Sequence, residues 1–411
     1  MKKIAILGAG ISGISMARML HDEADVTVYE KKPRVGGLIQ CDWVDDRLFH
    51  KVGGHVFNSK DQEVRDWFWS FFDIDNDFLK ATRNAKIWMN GNYIGYPIEN
   101  YLYLFDKEIS AGVIRDLLAT LEQEKTEYHN FEEFLKGNFG ETLYKLYFEP
   151  YNRKIWNTDL KNVPLEWLDG KLPMPNIESI LLQNLWREEE GNMVHSSFYY
   201  PVKGGSQFIV DRLSEGLHIK TSSPVERIDT SGERPAINGA EYDHVIYTGD
   251  CRRLHEIMDQ DSAILQDLKE LPSNGTSNML CETDPTDISW LYLPDPELKA
   301  HRIIYTGNFS PNNNKPGNRT SCVVEFSGHV DEEVMKAEIS KLPGNLEPIR
   351  SNQEPNSYVI QNHNSRELIQ QAKDFLAPSH VHLLGRFAEW EYYNMDKCML
   401  AAMQLKEKLS L

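Results

Sequence analysis

Cysteine is scarce in this chain: five residues in 411 (Cys41, Cys251, Cys281, Cys322 and Cys398), with no C-x-x-C pair among them. That excludes a disulfide framework and a cysteine-based zinc site, and it suits a reducing compartment. Basic residues are in deficit, 44 Lys and Arg against 62 Asp and Glu, for a formal net charge of −18. Such a chain lacks the electrostatic footprint of a nucleic-acid binder or of a protein held on anionic lipid. No stretch reaches the roughly 18 uninterrupted apolar residues of a membrane span. A secretory leader is not expected either, because strand-like sequence begins within three residues of Met1. A cytoplasmic protein is therefore the expectation. Internal repeats and low-complexity tracts are also missing, which leaves an ordinary globular chain long enough for two or three domains.

What is present starts at once. Lys3-Ile4-Ala5-Ile6-Leu7 reads as a short buried strand and runs into Gly8-Ala9-Gly10-Ile11-Ser12-Gly13, which opens a helix from Ile14 to His21. A second strand, Val26-Thr27-Val28-Tyr29, delivers Glu30. This strand, glycine turn, helix, strand and acid form the unit that binds the ADP half of a dinucleotide. Gly8 allows the tight turn, Gly10 the approach of a pyrophosphate, and Gly13 close packing of helix on strand. The helix N-terminus offers N–H groups to phosphate, and Glu30 is placed to accept from a ribose. The acid also argues against a 2′-phosphate, hence against NADP. Lys31-Lys32-Pro33-Arg34-Val35-Gly36-Gly37 then adds a second glycine pair. That extension favours FAD over NAD, with Arg34 near the cofactor phosphates and Gly36-Gly37 passing close to the flavin side.

The rest of the chain returns to this theme twice. Leu38 to Phe57 alternates in strand fashion. From 61 to 194 aromatics, leucines and charges recur at helical spacing, interrupted by a hairpin over Lys86 to Ile94. Glycine turns and buried strands resume around Tyr199 to Ser206, at Asp243 to Gly249 and at Val381 to Arg386, before a closing helix from Asp396 to Leu409. The fold class is α/β. A Rossmann-like FAD-binding domain is expected from residues 1–60, 195–250 and 375–411. A mostly helical insertion (61–194) carries the substrate, and a mixed sheet domain spans 251–374.

Four stretches resemble the flavin-dependent UDP-galactopyranose mutases, within the wider amine-oxidase and protoporphyrinogen-oxidase superfamily. They are Lys51-Val52-Gly53-Gly54-His55-Val56-Phe57, Tyr151-Asn152-Arg153-Lys154-Ile155-Trp156, His244-Val245-Ile246-Tyr247-Thr248-Gly249 and Gly385-Arg386-Phe387-Ala388-Glu389-Trp390-Glu391-Tyr392-Tyr393-Asn394-Met395. The resemblance implies a reduced flavin whose N5 attacks the anomeric carbon of a nucleotide sugar, expels UDP, and lets the ring reopen and reclose as a furanose, with no net oxidation. It also implies a place in cell-surface polysaccharide biosynthesis. By the same resemblance His55 sits beside the flavin ring and Arg386 near flavin or diphosphate. Tyr151 stacks on the uracil with Tyr147 one turn earlier, and Trp156 lies near the sugar. The hydroxyls of Tyr392 and Tyr393 reach the diphosphate, and Asn394 and Met395 open the last helix toward the flavin. For Trp156, Tyr392 and Tyr393 plain core packing is an alternative. A small nucleotide sugar is the partner implied, and a homodimer is left open.

The chain departs from the family where the diphosphate is clamped. Two family arginines are expected, one just beyond Trp167 and one at position 322, which is a cysteine. Lys171 and Arg319 are the nearest basic residues, and lysine does not reproduce the fork of arginine. A histidine expected three residues beyond His55 is Asn58. Two other functions share the cofactor fold: a flavin oxidase or desaturase acting on an amine or porphyrinogen, and a flavin-binding homologue without mutase activity.

Overall fold

The computed structural model describes residues 1–122, 127–165, 168, 176–187 and 197–411. Strand β1 (Lys2–Leu7) buries Ile4, Ala5 and Ile6 completely. It passes through Gly8 into helix α1 (Ile11–Leu20) and then into strand β2 (Ala24–Tyr29). Five parallel strands make the sheet, in the order Val381–Leu383, His244–Tyr247, β1, β2, Ile219–Lys220. Three widely separated stretches therefore build it.

Side chains alternate across a strand, so β1 feeds two cores. Ile4 and Ile6 pack with α1 and with the helices Gly205–Ser214 and Met395–Lys408. Ala5 and Leu7 join Val245, Tyr247, Ile369 and Trp390 on the other face. Cover on both faces is what a parallel sheet requires.

The insertion is helical where the periodicity predicts it, over Lys107–Glu122, Phe131–Leu143, Glu149–Trp156 and Ile177–Trp186. Its hairpin (Ala85–Met89 and Asn92–Gly95) leaves the helices and joins the second sheet, Ala85 pairing with Trp290. That sheet runs Glu347–Val359, Ser273–Thr283, Thr320–Ser327, Ala300–Ile304, Trp290–Tyr292, Ala85–Met89, Asn92–Gly95. The alternation at 38–57 yields a hairpin, Cys41–Val44 with Arg47–His50. Residues 51–56 are irregular, with Gly53 at φ +60°. Among the described residues no helix is long and apolar enough to cross a membrane.

Candidate active site

The dinucleotide turn has the geometry its residues predict. Gly8 sits at φ +115°, and its N–H donates to the Tyr29 carbonyl at 2.8 Å. A Cβ on Gly13 would stand 2.0 Å from the Gly8 oxygen, and one on Gly37 would stand 3.1 Å from the Gly10 Cα. Both turns are thus as close as bare backbone permits, and Gly36 donates to the Ala9 carbonyl at 2.8 Å. Glu30 is buried, and its two oxygens accept from the N–H groups of Ala9 and Lys32, each at 2.8 Å. A carboxylate has about four acceptor sites, so capacity for ribose hydroxyls remains. These residues fit FAD. Arg34 pairs with Asp42 at 2.6 Å, donates to the Cys41 carbonyl at 2.8 Å, and lines a surface groove with Trp43 and Lys203.

A cavity of about 250 Å³ opens where the cofactor domain meets the second sheet. His55 lines it, with its Nε2 shut from solvent and unpartnered among the described residues. Burial first, and then the charge of Arg386, press its pKa down to about 4, although Glu325 pulls the other way. Arg386 is held by backbone carbonyls. Its Nε donates to Tyr393 at 2.9 Å, its Nη1 donates to Ser357 at 3.0 Å, and its guanidinium lies 4.8 Å over the Tyr392 ring. Tyr392 stacks on Tyr358 (5.7 Å, 6°), and Trp156 meets both edge-on at 6.0 and 6.4 Å. Asn394 and Met395, at the start of the last helix, complete this wall.

Residues on neighbouring strands supply a charged network. Glu325 Oε1 accepts from Arg302 Nη2 (2.6 Å), His301 Nε2 (2.9 Å) and the Tyr358 hydroxyl (3.1 Å). Burial opposes ionisation of this carboxyl, yet Arg302, His301 and Tyr358 hold its pKa near 2.

A single π turn, Tyr144–Phe148, separates the helices Phe131–Leu143 and Glu149–Trp156. Such turns reset the phase of a helix and recur at functional sites. Here Tyr147 and Tyr151 stack at 5.5 Å and 8°, and Tyr151 meets the cavity-lining Tyr292 edge-on at 5.3 Å. Of the substrate residues expected from sequence, Tyr392 lines the cavity. Tyr151 and Trp156 stand behind it against the lining residues Tyr292, Tyr358 and Tyr392, and Tyr147 stands behind Tyr151. Tyr393 packs its ring with the cofactor-domain core, and its carbonyl accepts from Arg386.

Sequence reasoning missed two arginines. Arg302, on the strand Ala300–Ile304, and Arg83, in the link between the strands Phe78–Thr82 and Ala85–Met89, both line the cavity. Arg319 pairs instead with Asp284, Glu347 and Glu282, Cys322 is buried in an apolar cluster, and Lys171 lies outside the described residues. The available signal was charge inside apolar strands, His301-Arg302 before Ile303-Ile304 and Glu325 after Val323-Val324, because such charges are buried only when paired. Asn58 lines the cavity too and donates to the Ser197 carbonyl at 2.8 Å.

Comparison with known proteins places these features. A family model described as flavin containing amine oxidoreductase matches residues 11–368. The dTDP-fucopyranose mutase of Escherichia coli is 23% identical over 417 residues, covering 98% of this chain and 97% of that one. The UDP-galactopyranose mutase of Mycoplasma genitalium is 40% identical over 168 residues, or 37% and 39% of the two chains. A crystal structure of reduced UDP-galactopyranose mutase superposes with a TM-score of 0.88 at 21% identity, over 100% of this chain and 96% of that one.

Proposed function

This chain belongs to the flavin-containing amine oxidoreductase family and uses FAD, and we propose that within that family it is a nucleotide-sugar mutase. It would interconvert the pyranose and furanose forms of UDP-galactose or a related sugar such as dTDP-fucose. The observation that carries this reading is the charge of the cavity. Three guanidiniums line it, those of Arg83, Arg302 and Arg386, against the carboxyls of Glu325 and Asp396. Burial also shifts Asp396 toward its neutral form. An amine substrate would enter as a cation and be repelled there, whereas a diphosphate would be attracted.

FAD, when bound and reduced, supplies the nucleophile for the anomeric carbon. Gly8, Gly10, Gly13, Glu30, Gly36 and Gly37 would hold it, with Asn394 and Met395 at its flavin end. His55 stays neutral and presents an unshared ring nitrogen toward the flavin side. Arg386 fixes the Tyr392 ring and, with Trp156, shapes a rigid wall against which the sugar is oriented. Tyr151, backed by Tyr147, offers an aromatic face for the base. The cations keep the departed diphosphate close enough to return.

The test is turnover. Dithionite-reduced holoenzyme is incubated with UDP-galactopyranose and with dTDP-fucopyranose, and the ring isomers are separated by anion-exchange chromatography. A furanose product supports the reading. No isomer, together with no change of flavin fluorescence on adding UDP or dTDP, would sink it. Oxygen-dependent turnover of an amine or a porphyrinogen would favour the oxidase.

A further inference from the structure

The three arginines of the cavity are not balanced equally by the protein. Arg302 has the carboxylate of Glu325 at 2.6 Å. Arg386 is satisfied by two backbone carbonyls and an aromatic face. Arg83 has less than either. Its Nη2 donates to the Tyr292 hydroxyl, and its guanidinium lies 5.0 Å from the Trp290 ring and 6.0 Å from the Tyr96 ring. Its Nε is shut from solvent and has no partner among the described residues, none of whose carboxylates pairs with it. An enclosed cation without counter-charge is unfavourable, and a buried N–H without an acceptor adds to that cost. A protein retains such a group where something from outside completes it. The guanidinium fork fits phosphate oxygens, and Tyr292, which Arg83 grips, also touches Tyr151.

We propose that Arg83 is the anion anchor of the cavity. The diphosphate of the ligand supplies the counter-charge that no described carboxylate gives Arg83, while Arg302, already neutralised by Glu325, contributes hydrogen bonds and little net charge. That the anion is a nucleoside diphosphate rests on the function proposed above.

Binding to the oxidised holoenzyme tests this without any turnover. Native protein, Arg83→Met and Arg83→Lys are titrated calorimetrically with UDP, dTDP and inorganic pyrophosphate, and ligand-free melting is recorded for each. Arg83→Met is expected to lose at least about 100-fold in affinity, and Arg83→Lys, which keeps the charge but not the fork, about tenfold. The ligand-free Tm of Arg83→Met should hold or rise, because an uncompensated charge has been removed; a residue serving only to pack would lower it. Affinity within about twofold of native in Arg83→Met, or in Arg83→Lys should the methionine variant not fold, overturns the anchor. Native protein that binds none of the three ligands sinks the nucleotide-sugar reading instead.

Discussion

Glu325 gathers three donors on one oxygen inside the protein, and that concentration fixes what its loss must do. Glu325→Gln leaves Arg302 beside His301 without the charge that both face. The expected cost is on the order of 3 kcal/mol, read as a lower urea midpoint and Tm of the holoenzyme; a change below about 0.5 kcal/mol, the range of an ordinary surface substitution, would mean the network contributes little. His55 makes a second prediction. Its native pKa is near 4, below the ordinary 6.5, so the unfolded chain takes up a proton that the folded one refuses. Its contribution to stability is present above about pH 6.5 and declines as the pH falls toward 4. Carbon-13 resonances of labelled histidine should report a neutral His55 ring at pH 5.5, and a midpoint above 6 would contradict the assignment. At this scale the glycine turns and the buried Glu30 were legible because glycine and acid spacing leave few alternatives. Arg83 and Arg302 were not, since their role depends on which strands become neighbours, and nothing local to Thr82-Arg83-Asn84 announces it.

Among the elements, the parallel sheet carries an acid-sensitive pair. His244 and His382 stand on adjacent strands with Nδ1 and Nε2 3.1 Å apart, near His380, Lys2, Asp243 and Lys408. Burial first, and then His244, His380 and Lys408, bring His382 to about 4. Because that value is lowered, stability is retained above about pH 6.5 and lost as the pH drops toward 4. His382→Gln should therefore flatten the decline of Tm between pH 7 and 4.5, and an unchanged slope would remove this pair from the acid response. The strands that carry these histidines were readable in the sequence as buried apolar runs ending in turns. The π turn at Tyr144–Phe148 was not, because a one-residue phase slip is smaller than the tolerance of a helical pattern. The hairpin at Ala85–Met89 was readable too, but its partner was not, as pairing with Trp290–Tyr292 spans some two hundred residues of sequence.

For the whole molecule, charge and site have opposite signs. The chain carries −18 overall, while the cavity is lined by three arginines. On the function proposed above, a nucleotide diphosphate approaching from solution meets a repulsive far field before it meets the cations. Screening lengths shrink from about 30 Å at 0.01 M salt to about 8 Å at 0.15 M. The association rate of UDP, followed by stopped-flow flavin fluorescence, should accordingly rise with salt over that range, the reverse of ordinary electrostatic steering. A falling rate would mean that local potential at the cavity mouth outweighs the net charge.

The sheet built from three stretches also has a history. β1 is synthesised far ahead of one of its two neighbours: His244–Tyr247 comes more than half a chain later, and the edge strand Val381–Leu383 later still. At about 5–20 residues per second, β1, already flanked by β2, waits on the order of tens of seconds for its second neighbour. The cofactor cradle is thus begun long before it is completed, and the nascent chain spends that interval with one edge of β1 unpaired.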